Sequence, residues 1–254
     1  MPEPFHGFRG ASSGPSRGTR LLPYKGVFAR SIVTAQPGFR ILPRVETDRA
    51  LVALFDGLPA SNISDNMNRM AGTAGLQPYH RPGVPLRGVA LTVHVRAGDN
   101  LMIHHALQLV RAGDVLVVDG EGCIDRALIG EIMKNVAKMR GAAGAVIDGA
   151  IRDVASFRED DFPCYARAVC HRGPYKDGPG EINVPVSVGG MLVHPGDIMI
   201  GDDDGVLAIR PGEARAVAEA TRKKAAAEAA TLASIAKRQY DDSWIEKALK
   251  AKGL

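Results

Sequence analysis

The fold is decided by two short apolar runs, Gly113-Asp-Val-Leu-Val-Val-Asp119 and Gly144-Ala-Val-Ile-Asp-Gly149. Both runs are rich in β-branched residues and are bounded by Gly or Asp, which is typical of buried strands. The residues between them, 127–140, carry apolar side chains at helical spacing. A strand, a helix and a second strand in this order predict an α/β fold.

The same alternation continues towards the N-terminus. Residues 88–95 are apolar and β-branched and predict a strand, and residues 100–110 have the spacing of a helix. Before them, residues 47–55 suit a short helix, and the Ser-, Asn- and Asp-containing residues 61–66 predict a helix-capping loop.

A second group of strands follows towards the C-terminus. Residues 184–188, 197–200 and 206–209 predict a β-meander whose last turn lies at 201–205. Residues 211–239 are Ala-rich and charged, with a proline at the start, and predict one long helix. Because this helix is longer than one small core needs, we expect it to pack on a neighbouring subunit.

The basic charge is concentrated in an N-terminal arm. Residues 1–40 are rich in Gly, Pro, Ser and Arg and predict an irregular arm; we assign 41–240 to one domain and 241–254 to a short extension. The net charge is +4, but residues 1–50 hold eight Lys or Arg against three acids, so the remainder is nearly neutral. We therefore expect no nucleic-acid partner.

The cysteine count and the hydropathy lead us to expect a cytoplasmic protein. Cys123, Cys164 and Cys170 are an odd set without Cys-x-x-Cys spacing, which argues against a disulfide framework or a thiolate zinc site. No run approaches the roughly 20 apolar residues that span a bilayer, and no signal-peptide pattern opens the chain. We expect no membrane partner.

Glu131, near the start of the 127–140 helical pattern, has two interpretations. On a helical wheel it shares a polar face with Lys134 while Ile132 lies on the opposite side, so it is an ordinary first-turn acid stabilised by the helix dipole. Alternatively, the helix begins near Gly130, and the free N–H groups of residues 131–133 form a site for a carboxylate. The pattern alone leaves both open.

Arg152 and Asp153 also have two interpretations. They follow the second apolar run, on a loop leaving a strand, where active-site groups of α/β proteins often lie. They form either a surface ion pair worth about 0–1 kcal/mol or a site in which Asp153 holds hydrated Mg²⁺ or Mn²⁺ beside the Arg152 cation. An anion site, a guanidinium and a metal-ready carboxylate together suggest enolate chemistry on a small oxo acid.

Four segments in order resemble the RraA-like family over about residues 60–235: Gly113-Asp-Val-Leu-Val-Val-Asp119, Gly130-Glu131, Gly144-Ala-Val-Ile-Asp-Gly-Ala-Ile-Arg-Asp153 and Gly201-Asp-Asp-Asp-Gly-Val206. The most specific feature is an acid, twenty intervening residues, and then Arg-Asp. The family contains metal-dependent 4-hydroxy-4-methyl-2-oxoglutarate / 4-carboxy-4-hydroxy-2-oxoadipate aldolases and the inhibitor of ribonuclease E. The resemblance implies an α/β fold with a β-sandwich core flanked by helices (swivelling β/β/α), assembled as a homotrimer or homohexamer.

The resemblance also implies roles for individual residues. The backbone amides that bind the pyruvyl carboxylate belong to four consecutive residues: Gly130, Glu131, Ile132 and Met133. Arg152 contacts the oxo or enolate oxygen, and Asp153 holds the divalent metal, Mg²⁺ or Mn²⁺. Glu131 corresponds to the acid, often Asp in the family, that orients a water for proton transfer. Glu228 matches an acid that the C-terminal helix supplies to the adjacent subunit.

These observations give a leading hypothesis and two rivals. The leading one is a class II pyruvate aldolase that cleaves a 4-hydroxy-2-oxo diacid to pyruvate and an oxo acid, with oxaloacetate decarboxylation as a side reaction. The first rival is a non-catalytic regulator that binds ribonuclease E. A methyltransferase, a label that some family members carry, is the third.

Overall fold

The computed structural model describes residues 37–254, and it shows a large mixed sheet with helices on both faces. Within that range the strands are β1 (Phe39–Ile41), β2 (Gln77–Pro78), β3 (Leu86–Val95), β4 (Asp114–Ile129), β5 (Gly144–Ile151), β6 (Cys164–Val169), β7 (Gly180–Ile182), β8 (Val186–Val188), β9 (Met191–Val193), β10 (Ile198–Asp202) and β11 (Gly205–Ile209). The helices are α1 (Ala60–Asp65), α2 (Leu101–Leu109), α3 (Glu131–Met139), α4 (Val154–Arg158), α5 (Ala214–Ala236) and α6 (Ser243–Lys250), with a 3-10 helix at Arg49–Phe55.

Parallel strands form the centre of the large sheet. Its strand order is β1-β7-β3-β4-β5-β6-β2, and β3, β4, β5 and β6 run parallel to their neighbours in this part of the sheet. The hairpin β10–β11 joins the sheet because β10 pairs antiparallel with β3. Parallel neighbours need crossover connections. Here α2 connects β3 to β4, and α3 connects β4 to β5.

Alternating side chains of the central strands feed two apolar cores. On β4, Val115 and Val117 belong to one core, whereas Leu116 and Val118 belong to the other. The first core is closed by the 3-10 helix, α1 and α5, and the second by α2, α3 and α4. Burial on both faces explains why β4 begins as a continuous apolar run rather than an alternating one.

The structure confirms the α/β class and most of the expected elements. The strands expected at 88–95 and 144–149 are β3 and β5, and the helix expected at 100–110 is α2. The long C-terminal helix is α5, which begins at Ala214 rather than at the proline. The expected irregular arm, 1–40, lies outside the described residues as far as position 36, but its last two residues, 39 and 40, belong to β1.

Three expectations about elements were wrong. Residues 61–66 are not a capping loop but lie within or at the end of α1, whose first N–H group, on Ala60, donates to the distant Asp202 Oδ2 at 2.8 Å. The expected meander is divided, because β8 pairs with β9 in a separate small sheet. Residues 127–129 are strand rather than helix, since β4 continues past irregular pairing with β5 as far as Ile129.

Two further features lie near the ends of the described chain. Asp114, fully buried at the start of β4, pairs with Arg44 and Arg49 and so fixes the segment before the 3-10 helix to the sheet. The proposed extension 241–254 contains α6, none of whose residues is buried. Within residues 37–254, no helix combines the length and the apolar character that a membrane crossing requires.

Candidate active site

The two segments of the predicted site follow the ends of two neighbouring strands, β4 and β5. Ile129 at the end of β4 pairs with Ile151 at the end of β5, and the Arg152 N–H group donates to the Ile129 carbonyl at 3.0 Å. The next residues on each side are Gly130-Glu131 and Arg152-Asp153. The twenty residues between Glu131 and Arg152 are therefore those that form α3, the turn after it and β5.

Gly130 allows these two segments to approach each other closely. A Cβ atom at this position would lie 2.5 Å from Asp153 Oδ2 and 2.9 Å from Arg152 Cγ, closer than real Cβ atoms approach other atoms. The backbone of Gly130 is extended, so its left-handed freedom is not the reason for the glycine. The absence of a side chain is what makes room for Arg152 and Asp153.

The N-terminus of α3 lies in this junction. Gly130 is the N-cap, and its carbonyl accepts the first intrahelical hydrogen bond, from Lys134 N–H at 3.0 Å. The Glu131 N–H group, which we expected to bind a ligand, instead donates to Asp153 Oδ2 at 3.1 Å. The amides of Ile132 and Met133 remain at the helix start, where backbone N–H groups favour an anion.

Asp153 adopts a left-handed backbone conformation, with φ of 57°. A non-glycine residue in this region is uncommon and often marks a functional constraint. Its side chain lies 3.6 Å from Arg152 Nε, and both side chains are a little under half exposed. Among residues 37–254, no three His, Cys, Asp or Glu side chains cluster closely enough to hold a metal ion by themselves.

A hydrogen-bonded chain supports Glu131 from the side of α4. Glu131 Oε1 accepts from the Ser156 hydroxyl at 3.0 Å, and Ser156 Oγ accepts from Lys134 Nζ at 2.7 Å. The same ammonium donates to the Ser156 carbonyl at 2.8 Å and pairs with Asp160 Oδ2 at 2.8 Å. Glu131 is therefore held by a side chain that is itself held by a buried cation.

This arrangement corrects the helical-wheel prediction for α3. Lys134 was placed on a polar face, but its side chain is only 3% exposed. Ile132, placed on the opposite side, is 75% exposed. The reason is that Ser156 on α4 and Asp160 just after it offer Lys134 three oxygen atoms, and a wheel drawn from one helix contains no information about those partners.

A small cavity adjoins the junction. Its volume is about 170 Å³, below the roughly 300–1,000 Å³ of sites for drug-sized ligands, so it suits a small molecule. The predicted site residues that line it are Gly130, Ile132, Met133 and Arg152. Further along the wall are three residues that the sequence did not single out as ligand-binding: Asn100, His104 and Lys176.

Glu228 lies elsewhere in the chain. It is on α5, where Oε2 accepts from Asn62 Nδ2 at 2.7 Å and Oε1 pairs with Lys224 at 3.0 Å. These two hydrogen bonds, that from Lys224 foremost, lower the pKa of the half-exposed Glu228 carboxyl. Its assignment to a neighbouring subunit's site stays a prediction.

The ion pairs of Asp160 with Lys134 and Lys138 predict a stability that depends on pH. Burial by itself raises the pKa of Asp160, but hydrogen bonds from Lys134 and Lys138 outweigh it and lower the pKa below the ordinary 3.8. A lowered folded-state pKa adds stability above the unfolded value, and this stability is lost as the pH falls through the folded value. Urea unfolding should show Asp160→Asn less stable than wild type near neutral pH, with the difference shrinking below about pH 4. A difference independent of pH would contradict these ion pairs.

Comparison with known proteins gives the family. The RraA-like family model, described as Aldolase/RraA, matches residues 60–208. A curated protein of Halalkalibacterium halodurans, named "Putative 4-hydroxy-4-methyl-2-oxoglutarate aldolase", is 37% identical over 176 residues, which are 69% of this chain and 83% of that protein.

Solved structures agree with this result. The RNA-processing inhibitor RraA from Thermus thermophilis is 31% identical, with a TM-score of 0.54 over 59% of this chain and 91% of its own. Streptomyces coelicolor RraAS2, at 24% identity, supports the fold alone, with a TM-score of 0.66 over 73% of this chain and 97% of its own. On these matches, the chain belongs to the RraA-like family.

Proposed function

We propose that this protein is a divalent-metal-dependent class II pyruvate aldolase. Its substrate is a 4-hydroxy-2-oxo diacid of the 4-hydroxy-4-methyl-2-oxoglutarate or 4-carboxy-4-hydroxy-2-oxoadipate type, which it cleaves to pyruvate and an oxo acid. The observation that carries the proposal is the cavity in which Arg152 lies beside the N-terminus of α3. The 37% identical relative named as an aldolase supports the same reaction class.

The 2-oxo acid end of the substrate binds at the start of α3. Its carboxylate accepts hydrogen bonds from the Ile132 and Met133 amides, where the helix dipole also favours negative charge. Arg152 points its guanidinium at the adjacent oxo oxygen. When the C3–C4 bond breaks, the electron pair moves onto that oxygen as an enolate, and a preorganised cation stabilises the charge as it develops.

Glu131 serves the proton transfer. Because Ser156 occupies Oε1, the second oxygen, Oε2, is left to orient a water molecule. In the cleavage the 4-hydroxyl group loses its proton, a carbonyl forms at C4, and the enolate is protonated at C3 to give pyruvate. Oxaloacetate, in losing CO₂, leaves the same pyruvate enolate, so we propose its decarboxylation as a side reaction of the same groups.

Asp153 is the proposed metal ligand. A single carboxylate suits Mg²⁺ or Mn²⁺, since these hard cations keep several waters and accept substrate oxygens as further ligands. The exposed position of Asp153 leaves room for such a hydrated ion. The metal would supply Lewis-acid polarisation of the substrate's oxo group.

The proposed assembly is a homotrimer or homohexamer in which Glu228 serves an adjacent subunit. Both Glu228 oxygens already accept a hydrogen bond within the chain, so this role would use their remaining lone pairs. The alternative function is regulation of ribonuclease E by protein binding, which the 31% identical RNA-processing inhibitor favours. That function requires neither the metal nor Arg152.

Metal removal should abolish the aldolase activity reversibly. With one protein carboxylate as ligand, affinity is low and chelation should remove the ion without unfolding the chain. We expect pyruvate release from 4-hydroxy-4-methyl-2-oxoglutarate to stop in EDTA and to return with Mg²⁺ or Mn²⁺, while the circular dichroism spectrum stays constant. Full activity after dialysis against chelator would contradict the class II mechanism.

Replacing Arg152 separates a catalytic role from a surface ion pair. If Arg152 stabilises the enolate, Arg152→Ala should lower kcat roughly 10²–10³-fold, by analogy with the loss of one oxyanion donor. Arg152→Lys should rescue little, because an ammonium lacks the planar fork. Arg158→Ala, at the exposed end of α4, is the matched control and should keep wild-type kcat. A folded Arg152→Ala enzyme with near-normal kcat would leave only the ion pair, worth at most about 1 kcal/mol.

A further inference from the structure

The cavity beside Arg152 has an unbalanced charge. Its lining includes two cations, Arg152 and Lys176, and no carboxylate. Arg152 has Asp153 nearby at 3.6 Å. Lys176 forms no ion pair with any residue in the part of the chain that the structure describes, 37–254. A ligand with two negative charges would neutralise both of these cations.

The wall on the Lys176 side also contains an unpaired buried acceptor. Asn100 is 2% exposed, and its Nδ2 donates to the Leu128 carbonyl at 2.9 Å and lies 3.3 Å from Met133 Sδ. The contact with a carbonyl fixes which end of the amide is nitrogen. Asn100 Oδ1 is left with no donor from residues 37–254. A buried acceptor of this kind favours a ligand that brings a donor, such as a hydroxyl group.

His104 completes this wall as a neutral donor or acceptor. Burial, and secondarily the charge of Lys176, lower the pKa of the His104 imidazole from 6.5, which keeps the ring neutral at physiological pH. The His104 and Lys176 side chains line the same cavity. The ring therefore adds hydrogen-bonding capacity without a third positive charge.

Lys176 is positioned by a loop that is fixed on both sides. Tyr175 N–H donates to the Gly98 carbonyl at 2.8 Å, and the Asp177 N–H group donates to buried Asp99 at 2.8 Å. The Arg126 guanidinium stacks on the Tyr175 ring at 4.1 Å.

The same loop also lies close to Arg152. A Cβ atom added at Gly173 would lie 3.4 Å from Arg152 Nη1. The loop that carries Lys176 therefore also lies against the Arg152 guanidinium.

We propose that Asn100, His104 and Lys176 form a subsite for the distal half of a dicarboxylate substrate. Lys176 pairs with the second carboxylate, His104 donates a hydrogen bond to it, and Asn100 Oδ1 accepts from a hydroxyl group on the chain between the two acid groups. The proposal rests on the proposed function, in which Arg152 and the start of α3 hold the 2-oxo acid end. These three residues would select a substrate that carries a second acid group.

Two ligands of equal chain length isolate the second carboxylate. These are 2-oxoglutarate, a dianion, and 2-oxopentanoate, which has a methyl group in place of the distal acid. Titration calorimetry with Mg²⁺ present should give wild type a preference for 2-oxoglutarate on the order of fivefold, the upper range for an exposed ion pair. Lys176→Met should remove the preference without changing the affinity for 2-oxopentanoate. Lys176→Arg should retain it, and Lys237→Met, at the exposed C-terminus of α5, should match wild type.

The outcomes distinguish this subsite from the proposed function. A preference that survives in Lys176→Met, or affinities for both acids that fall together, would overturn the subsite even if the enzyme cleaves the hydroxy diacid. Failure of wild type to bind either acid would overturn it as well. If the Lys176-dependent preference is found but no pyruvate is released from any 4-hydroxy-2-oxo diacid, the subsite stands and the aldolase proposal fails.

Discussion

The paired ends of β4 and β5 are the constraint on which the site depends. The hydrogen bond from Arg152 N–H to the Ile129 carbonyl brings Gly130-Glu131 and Arg152-Asp153 together at one edge of the sheet. The position of each segment depends on the other. Gly130 has no side chain because Arg152 and Asp153 occupy that space, and Asp153 in turn accepts the Glu131 amide.

The cavity beside this junction is lined by two different groups of residues. One end presents helix amides and a guanidinium, which suit a carboxylate and the oxygen beside it. The other end presents the Lys176 ammonium and an unpaired amide oxygen. Two cations with no acid in the lining favour a dianion over a monoanion, and this preference fits a diacid aldolase better than a surface that binds a folded protein. The RraA-like family contains proteins named for both functions, so the site has to decide between them.

The sequence predicted what depends on local pattern. Buried parallel strands appear in the sequence as apolar runs, and the interval between Glu131 and Arg152 is the length of one helix and one strand. The strands and this interval could therefore be predicted from the sequence. Contacts between segments that are distant in the sequence could not be predicted in this way. Lys134 was assigned to a polar face because its partner on α4, Ser156, is more than twenty positions away in the sequence. The helix α1 was missed because the residue that caps it, Asp202, lies on the distant β10–β11 hairpin. The Asn100 and Lys176 wall had no sequence signal, since each residue is unremarkable in its own segment.

The central claim is that this junction forms a pyruvate enolate, and exchange of the pyruvate methyl protons with D₂O reports that step alone. Proton NMR with Mg²⁺ should show wild type losing the methyl signal. Gly130→Ala should lose this activity while folded, because its Cβ displaces Arg152 or Asp153. Gly212→Ala, where a Cβ meets nothing within 4 Å, should exchange like wild type. No exchange by wild type above the Mg²⁺ background, or equal exchange by Gly130→Ala, would contradict the account.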